Sequence, residues 1–484
     1  MDLYTLKNIF KFLSVIGMAL GIFLFSAVVV GWIYHEDMRY FLWFVLTLFG
    51  VNGILFLLFR THRMRMSIKE GILSVNLVWI LLGVGGAVPL MLYTGVGGAD
   101  AFFEAVSGFT TTGATIFNDI ESLPKSILYL RSLMHWLGGM GIIVLGVGLF
   151  SIINPSGSMA LFKAESTGIK MEKVTPKVKD TAIRLWGIYL LFTVVDAIAL
   201  KLAGMNMFDA VNHAFSTIST GGFSTKNASL GYFDSAWIFW ITTFFMIISG
   251  INFLAHLKLF STGSLEGYKR EEVLWYLLIF VVLSILLSLT DVFIDADSYA
   301  HALTHSFFTI SSVLTTTGFA TLDYSQWGHI AIAVIFTAML VGGNAGSTAG
   351  GAKVIRYIIL FKNIILQFTR TLHPNAVVNV FIDRQKVSSH IISSTTGFIF
   401  LFIITNMLVT LYLFGRGFDA LTSVSTALAT VGNIGPGFAL TGPAQNYAFF
   451  SNMDKMVLSF AMIIGRLEFY TVFLLFSHSF WKKF

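Results

Sequence analysis

Four copies of one short run set the terms for this chain: Phe109-Thr110-Thr111-Thr112-Gly113, Ile218-Ser219-Thr220-Gly221-Gly222, Leu314-Thr315-Thr316-Thr317-Gly318 and Leu428-Ala429-Thr430-Val431-Gly432. Each carries Thr two places before its final glycine, and the final glycines recur at intervals of 109, 96 and 114 residues. An apolar stretch precedes each run and opens thirteen places before the glycine, at Asp100, Asp209, His305 and Asp419. Three of these openers are Asp, a preferred helix N-cap. A short helix followed by a bare Thr/Gly loop, repeated four times, predicts four pore helices, each delivering one selectivity-filter loop. Rings of backbone carbonyls can replace the hydration shell of K⁺. Glycine suits the end of such a loop because it reaches positive φ and lets backbone come close to a ligand.

The setting is a bilayer. Hydrophobic residues make up 56% of the 484 and charged residues 12%, with a mean hydropathy of +0.79. A soluble domain carries about 25% charged residues. Cysteine is absent, which excludes disulfides and thiolate metal sites. The net charge of +6 is spread over short loops and is no nucleic-acid footprint. The first apolar stretch follows Lys7 and Lys11 and runs on without a small-residue cleavage site, so no cleavable signal is expected.

Residues 1–70 hold two apolar spans, near 12–34 and 40–59, which lack the run. Four units follow, at 71–180, 181–270, 271–390 and 391–484. Each is read as a span, a pore helix, a filter loop and a second span. Leading spans fall near 72–94, 183–203, 273–294 and 391–414, trailing spans near 130–152, 236–260, 327–371 and 454–480. The fold expected is an all-α integral membrane protein with ten full spans.

Charge orients it. Arg60, Arg63, Arg65 and Lys69 form one basic loop; Lys163, Lys170, Lys173, Lys177, Lys179 and Arg184 form the next. Lys269, Arg270, Arg370, Arg384, Lys386, Lys482 and Lys483 complete that side. The other side carries Asp119, Glu121, Asp234, Asp291, Asp295, Asp297 and Asp323 with few bases. The positive-inside rule then puts both termini in the cytoplasm and the filters beneath an acidic outer mouth.

A second mark follows each run: Gly138-Gly139, Ser249-Gly250, Gly342-Gly343 and the single Gly465. Close helix packing accounts for the first two. The third opens a longer stretch, Gly342, Gly343, Asn344, Ala345, Gly346, Ser347, Thr348, Ala349, Gly350 and Gly351. The apolar segment around it, from Trp327 to Arg370, would be about 66 Å long as one helix, twice a bilayer, so it must break there. A phosphate-binding loop is excluded, because no G-x-x-x-x-G-K-[ST] is present and no strand precedes it. Unwound backbone at membrane depth lines a cavity or is buried in protein; here it is read as a loop across the ion path. In the fourth unit Arg466 follows Gly465 at mid-span, where a cation is costly and usually faces the bundle interior. Pairing with Glu468 is disfavoured because i and i+2 do not share a helix face.

Together with His135-Trp-Leu-Gly-Gly-Met-Gly141 and Gly250-Ile-Asn-Phe253, these motifs resemble the TrkH/KtrB superfamily of bacterial potassium-uptake proteins, over residues from about 72 to the C-terminus. The two extra N-terminal spans resemble the TrkH branch. The resemblance implies four membrane–pore–membrane units around a pseudo-fourfold axis and K⁺ as the transported ion, with no organic cofactor. It implies a homodimer in the bacterial inner membrane and a cytoplasmic nucleotide-binding ring of the TrkA type. Filter carbonyls would belong to Thr111, Thr112, Gly113; Thr220, Gly221, Gly222; Thr316, Thr317, Gly318; and Thr430, Val431, Gly432. The gate would be Gly342–Gly351 with Arg466. The fourth run departs most, with Ala429 and Val431 where the first and third have Thr, and none spells the TVGYG of tetrameric channels. Weaker K⁺ over Na⁺ discrimination is therefore expected.

Two other classes compete. A proton- or sodium-coupled symporter with broken helices would usually show two repeats, often inverted. A membrane enzyme would need a catalytic constellation, but His135, His213, His256, His301 and His305 are scattered without H-E-x-x-H. His301 and His305 share a helix face, and polar capping accounts for them better than zinc.

Overall fold

The computed structural model describes residues 3–62, 64–141, 178–290 and 299–482. Arg63, the basic-loop lysines Lys163, Lys170, Lys173 and Lys177, the acids Asp291, Asp295 and Asp297, Lys483 and the far half of the expected span 130–152 lie outside the described residues.

Among the described residues the structure is mainly helical, with one two-residue hairpin, Phe381–Ile382 with Gln385–Lys386, near the end of the third unit. Among the described residues six helices are long and apolar enough to cross a membrane: Leu3–Ile33, Arg39–Leu58, Ile68–Thr94, Asp180–Leu202, Glu271–Ser288 and Ser389–Gly415. The first two pack on each other, and Leu3–Ile33 also packs on Ile68–Thr94. Each leading span ends just before a short helix: Gly98–Phe109, Met207–Ile218, Tyr299–Leu314 and Ala420–Val431.

Local chemistry sets the ends. Ser67 and Glu70 form a reciprocal capping box at the start of Ile68–Thr94, as do Ser451 and Asp454 at the start of Asn452–Arg466. Asn206 caps the second short helix through the Asp209 N–H, and Asp419 caps the fourth through the Thr422 N–H. The first is capped by Gly97. Asp100 and Asp209, expected as caps, therefore stand three residues further in. His305 lies within the third short helix and bonds the Thr321 hydroxyl at 2.7 Å.

The trailing spans are not continuous. Ala236–Ser249 and Phe253–Thr262 meet at 92°, and Asn452–Arg466 and Tyr470–Phe476 meet at 112°. In the third unit His329–Val341 stops at Gly342 and a new helix starts only at Val354. In the first, Lys125–Trp136 passes into a π-helical turn, Leu137–Gly141. All four glycine marks are thus breaks or irregular turns, including the two expected to be packing sites. Arg466 ends a half-helix; it does not lie midway along a span.

Both chain ends meet the first basic loop. Lys11 donates to the carbonyls of Arg60 and His62 at 2.9 Å, and Lys69 donates to those of Phe480 and Lys482 at 2.8 Å.

Candidate ion pathway

The four short helices end in the same way. The N–H of Thr112, Gly221, Thr317 and Ile434 reaches back five residues to the carbonyls of Ser107, Ser216, Ser312 and Ala429, at 2.8–2.9 Å. The residue before each, Thr111, Thr220, Thr316 and Asn433, bonds three residues back at 3.0–3.3 Å. This is the Schellman pattern, and it places the residue two past the helix end in the left-handed region. Its φ is +56° at Thr111, +54° at Thr220, +57° at Thr316 and +54° at Asn433. A β-branched residue is strained there, whereas Asn is tolerated. Two residues later comes a glycine with φ of +83° at Gly113, +85° at Gly222, +85° at Gly318 and +93° at Gly435.

The fourth loop is therefore Asn433-Ile434-Gly435. Thr430 and Val431, expected there, belong to the last turn of the short helix, and Gly432 follows at φ −81°. The three-residue slip has a physical cause. Asp419 is a true N-cap, and aligning it with the in-helix acids Asp100 and Asp209 shifts the register by the cap-to-N3 distance. Counted from the caps Gly97, Asn206 and Asp419, the closing glycines Gly113, Gly222 and Gly435 all lie 16 residues on.

The loops close a ring. A Cβ on Gly113 would collide with the Gly221 carbonyl oxygen, one on Gly222 with that of Thr317, one on Gly318 with that of Ile434, and one on Gly435 with that of Thr112. Each closing glycine thus leans on the middle carbonyl of the next loop, in the order one, two, three, four, one. All four glycines line one cavity of about 150 Å³, together with Arg131, Lys226 and Tyr447. The rim acids are partly answered by a base that the loop count undervalued: Lys226 lies 3.8 Å from Glu121 and 3.8 Å from Asp209. The Asn227 amide holds the Asp119 carboxyl below its ordinary range.

On the other side of the ring lies the glycine-rich loop. Gly343 to Lys353 is pinned by hydrogen bonds from Asn344 N–H to the Gly250 carbonyl at 3.0 Å, from Gly350 N–H to the Thr316 hydroxyl at 2.6 Å, and from Gly351 N–H to the Gly432 carbonyl at 3.0 Å. The Thr348 hydroxyl donates to the Ile218 carbonyl at 3.1 Å. Arg466 donates to the carbonyls of Thr348 at 3.1 Å, Gly138 at 2.6 Å and Gly139 at 3.0 Å. Thr348 and Arg466 thereby tie together all four units. Glu468 instead pairs with Arg356 at 2.5 Å.

Glycine at these breaks is a steric requirement. A Cβ on Gly138 would overlap the Phe109 carbonyl oxygen, and one on Gly465 the Val431 carbonyl oxygen, each at the last residue of a short helix.

The family described as TrkH, cation transport protein, matches residues 38–483. The chain belongs to the TrkH family. The Trk system potassium uptake protein TrkH of Halomonas elongata is 37% identical over 489 aligned positions, covering 99% of this chain and 100% of that one. The protein of the same name from Escherichia coli K12 is 38% identical, with 88% of each chain covered. The crystal structure of the potassium transporter TrkH from Vibrio parahaemolyticus superposes with a TM-score of 0.89 at 32% identity, covering 99% of this chain and 100% of that chain.

TrkH membership sets aside the membrane enzyme and makes this a multi-span transport protein. The histidines have structural partners. His135 bonds the Gly108 carbonyl at 2.7 Å, His213 the Ser224 hydroxyl at 2.9 Å, and His256 the Tyr268 hydroxyl at 2.6 Å. No group of three His, Cys, Asp or Glu able to hold a metal occurs among the described residues. Sequence reasoning passed over Asn433, Ile434 and Gly435, the half-helix breaks at 250–252 and 467–469, and the buried pair Glu104–Arg131. The Asn-Ile-Gly spelling after a helical Thr-Val was the signal for the first, since Asn is the non-glycine residue most at ease at positive φ.

Proposed function

We propose that this chain takes up K⁺ through the axis of the four-loop ring. The ion would be stripped of water by carbonyls of Thr111–Gly113, Thr220–Gly222, Thr316–Gly318 and Asn433–Gly435, related by a pseudo-fourfold axis. The observation that carries the reading is the closed cycle of glycine-to-carbonyl contacts around one cavity. Names of relatives across nearly the whole chain support K⁺ as the ion. Each short helix directs the C-terminal end of its dipole, about −0.5 of an elementary charge, toward the region below the ring, which favours a cation there.

The gate in this reading is Gly342–Gly351 with Arg466. The loop is held under the ring by backbone hydrogen bonds, and the guanidinium places a positive charge in the same level. Moving either aside opens the path. The basic loops, joined to both termini, form the cytoplasmic face in the bacterial inner membrane, where a TrkA-type nucleotide-binding ring would dock on a homodimer. Rb⁺ uptake into proteoliposomes holding only this protein, measured with and without a proton gradient, tests the pore. Uptake that collapses to background without the gradient would favour the second reading, proton-coupled symport. One group supports that alternative: Asp196 carries a carboxyl fully buried in a leading span, with the Thr217 hydroxyl of the second short helix beside it.

A further inference from the structure

Beside the ring, with Arg131 reaching the cavity that the four closing glycines line, lies a buried ion pair that neither the run nor the glycine marks announce. Glu104, in the first short helix, and Arg131, in the trailing span of the same unit, are 0% and 1% exposed, with Nε to Oε1 at 2.8 Å. Such a pair survives burial only when its other polar atoms also find partners, and here every side-chain nitrogen and oxygen of the pair has one. Glu104 Oε1 also accepts from the Thr115 hydroxyl at 3.0 Å, and Oε2 from the Ile116 N–H at 2.9 Å. Arg131 Nη2 donates to the Thr115 hydroxyl at 3.1 Å. Its Nη1 leaves the unit altogether and donates to the Ser224 carbonyl, two residues past Gly222, at 3.1 Å.

These bonds end on backbone immediately beyond the ring. Thr115 is two residues past Gly113, and its own carbonyl accepts from the Tyr447 N–H at 2.8 Å, while the Tyr447 hydroxyl donates to the Gly435 carbonyl at 2.7 Å. The Phe223 ring, next to Gly222, lies between the Arg131 guanidinium at 4.1 Å and the stacked His135 ring at 4.1 Å. A continuous polar belt therefore runs from loop four through loop one to loop two. Nine residues before each closing glycine the units carry Glu104, His213, Thr309 and Thr426, so only the first supplies an acid.

We propose that Glu104 and Arg131 are positioning residues for ion selectivity. The pair fixes the spacing between the first and second loops, and through Tyr447 the fourth, so that their carbonyls keep the separation that suits K⁺. The inference rests on the reading of the four loops as the filter. Because the pair is net neutral, it braces the mouth without repelling incoming cations.

The test is the K⁺-over-Na⁺ preference of the full chain in proteoliposomes, read as Rb⁺ uptake under Na⁺ competition, with the thermal midpoint of each purified variant measured alongside. Glu104→Gln or Arg131→Met alone strands a buried charge and can fail to fold. The double variant strands none. It is expected to fold with a wild-type midpoint and to lose about tenfold in preference, which is about 1.4 kcal/mol. Thr115→Val, which removes the hydroxyl's bonds to Glu104, Arg131 and the Phe117 N–H but leaves both charges paired, is expected to lose at least about threefold, the net scale of a hydrogen bond. Gly222→Ser serves as the filter control. A wild-type preference in the double variant, or in Thr115→Val if the double does not fold, overturns the proposal when Gly222→Ser lowers the ratio. If Gly222→Ser also leaves it unchanged, the filter reading fails and this inference falls with it.

Discussion

Arg466 donates a hydrogen bond to the Thr348 carbonyl at 3.1 Å, joining the end of a half-helix in the fourth unit to the glycine loop of the third. The same guanidinium holds the Gly138 and Gly139 carbonyls of the first unit. It is a clasp on the loop and, in the proposed gate, a charge in the ion path.

Arg466→Ala is therefore expected to raise basal Rb⁺ flux. Deleting a charge ~8 Å from the ion at an effective dielectric near 20 removes about 2 kcal/mol of repulsion. That is roughly a thirtyfold rise if the barrier limits the rate. Arg466→Lys keeps the charge but not the forked contacts, so it should leak less than alanine and more than wild type. A well-folded Arg466→Ala that conducts no faster than wild type would remove it from the gate.

Thr316 links the ring to the loop, since its hydroxyl accepts the Gly350 N–H at 2.6 Å. Thr316→Val keeps the shape and orphans that donor, at a cost of about 1–3 kcal/mol to the closed arrangement. Basal flux should rise severalfold, and Thr316→Ser should restore it. Equal flux in the valine and serine variants would uncouple the two elements.

The register of the fourth loop can be tested directly. Gly435→Ser places a Cβ against the Thr112 carbonyl at a φ of +93°, so the K⁺/Na⁺ ratio should fall as it does for Gly113→Ser, Gly222→Ser and Gly318→Ser. Gly432→Ser lies at an ordinary φ of −81°, and its Cβ would meet the Leu428 carbonyl and the Ile434 side chain of its own unit, not the carbonyl of a neighbouring loop, so its effect on the ratio should be smaller than that at Gly435. A selectivity loss at Gly432 with none at Gly435 would restore the register expected from sequence.

Gly138 and Gly465 should each reject alanine. Overpacking of this kind typically costs about 1–3 kcal/mol, and a lower thermal midpoint of the purified protein is the readout. An unchanged midpoint for Gly465→Ala would mean that the half-helix can slide away from Val431.

With no native cysteine, single cysteines report topology cleanly. Asp119→Cys should react with an impermeant reagent added to intact cells, and Arg384→Cys only after permeabilisation. The reverse pattern would invert the orientation drawn from the basic loops.

The sequence was most legible where a repeat multiplied a weak signal. One Thr/Gly run is a turn; four in register pointed to four short helices and four loops. It misled where a single residue type has two uses. Asp419 caps a helix, while Asp100 and Asp209 lie one turn inside theirs, and treating the three alike displaced the last loop by three positions. The break at Gly342 announced itself through length alone, since 44 residues from Trp327 to Arg370 cannot span a bilayer straight. The breaks after Ser249 and Arg466 gave no such warning, because the stretches around them, 236–260 and 454–480, are short enough to cross a bilayer as one helix. Glu104 and Arg131 were illegible for another reason: 27 residues apart, they meet only once the short helix folds back.

The ring in which every closing glycine leans on the next loop is written out four times in one gene product. A channel assembled from four identical subunits must accept any change at its narrowest point in quadruplicate. This chain can revise one quadrant and leave three alone, and Asn433 among Thr111, Thr220 and Thr316 is such a revision already made. Its tuning can proceed in quarter steps.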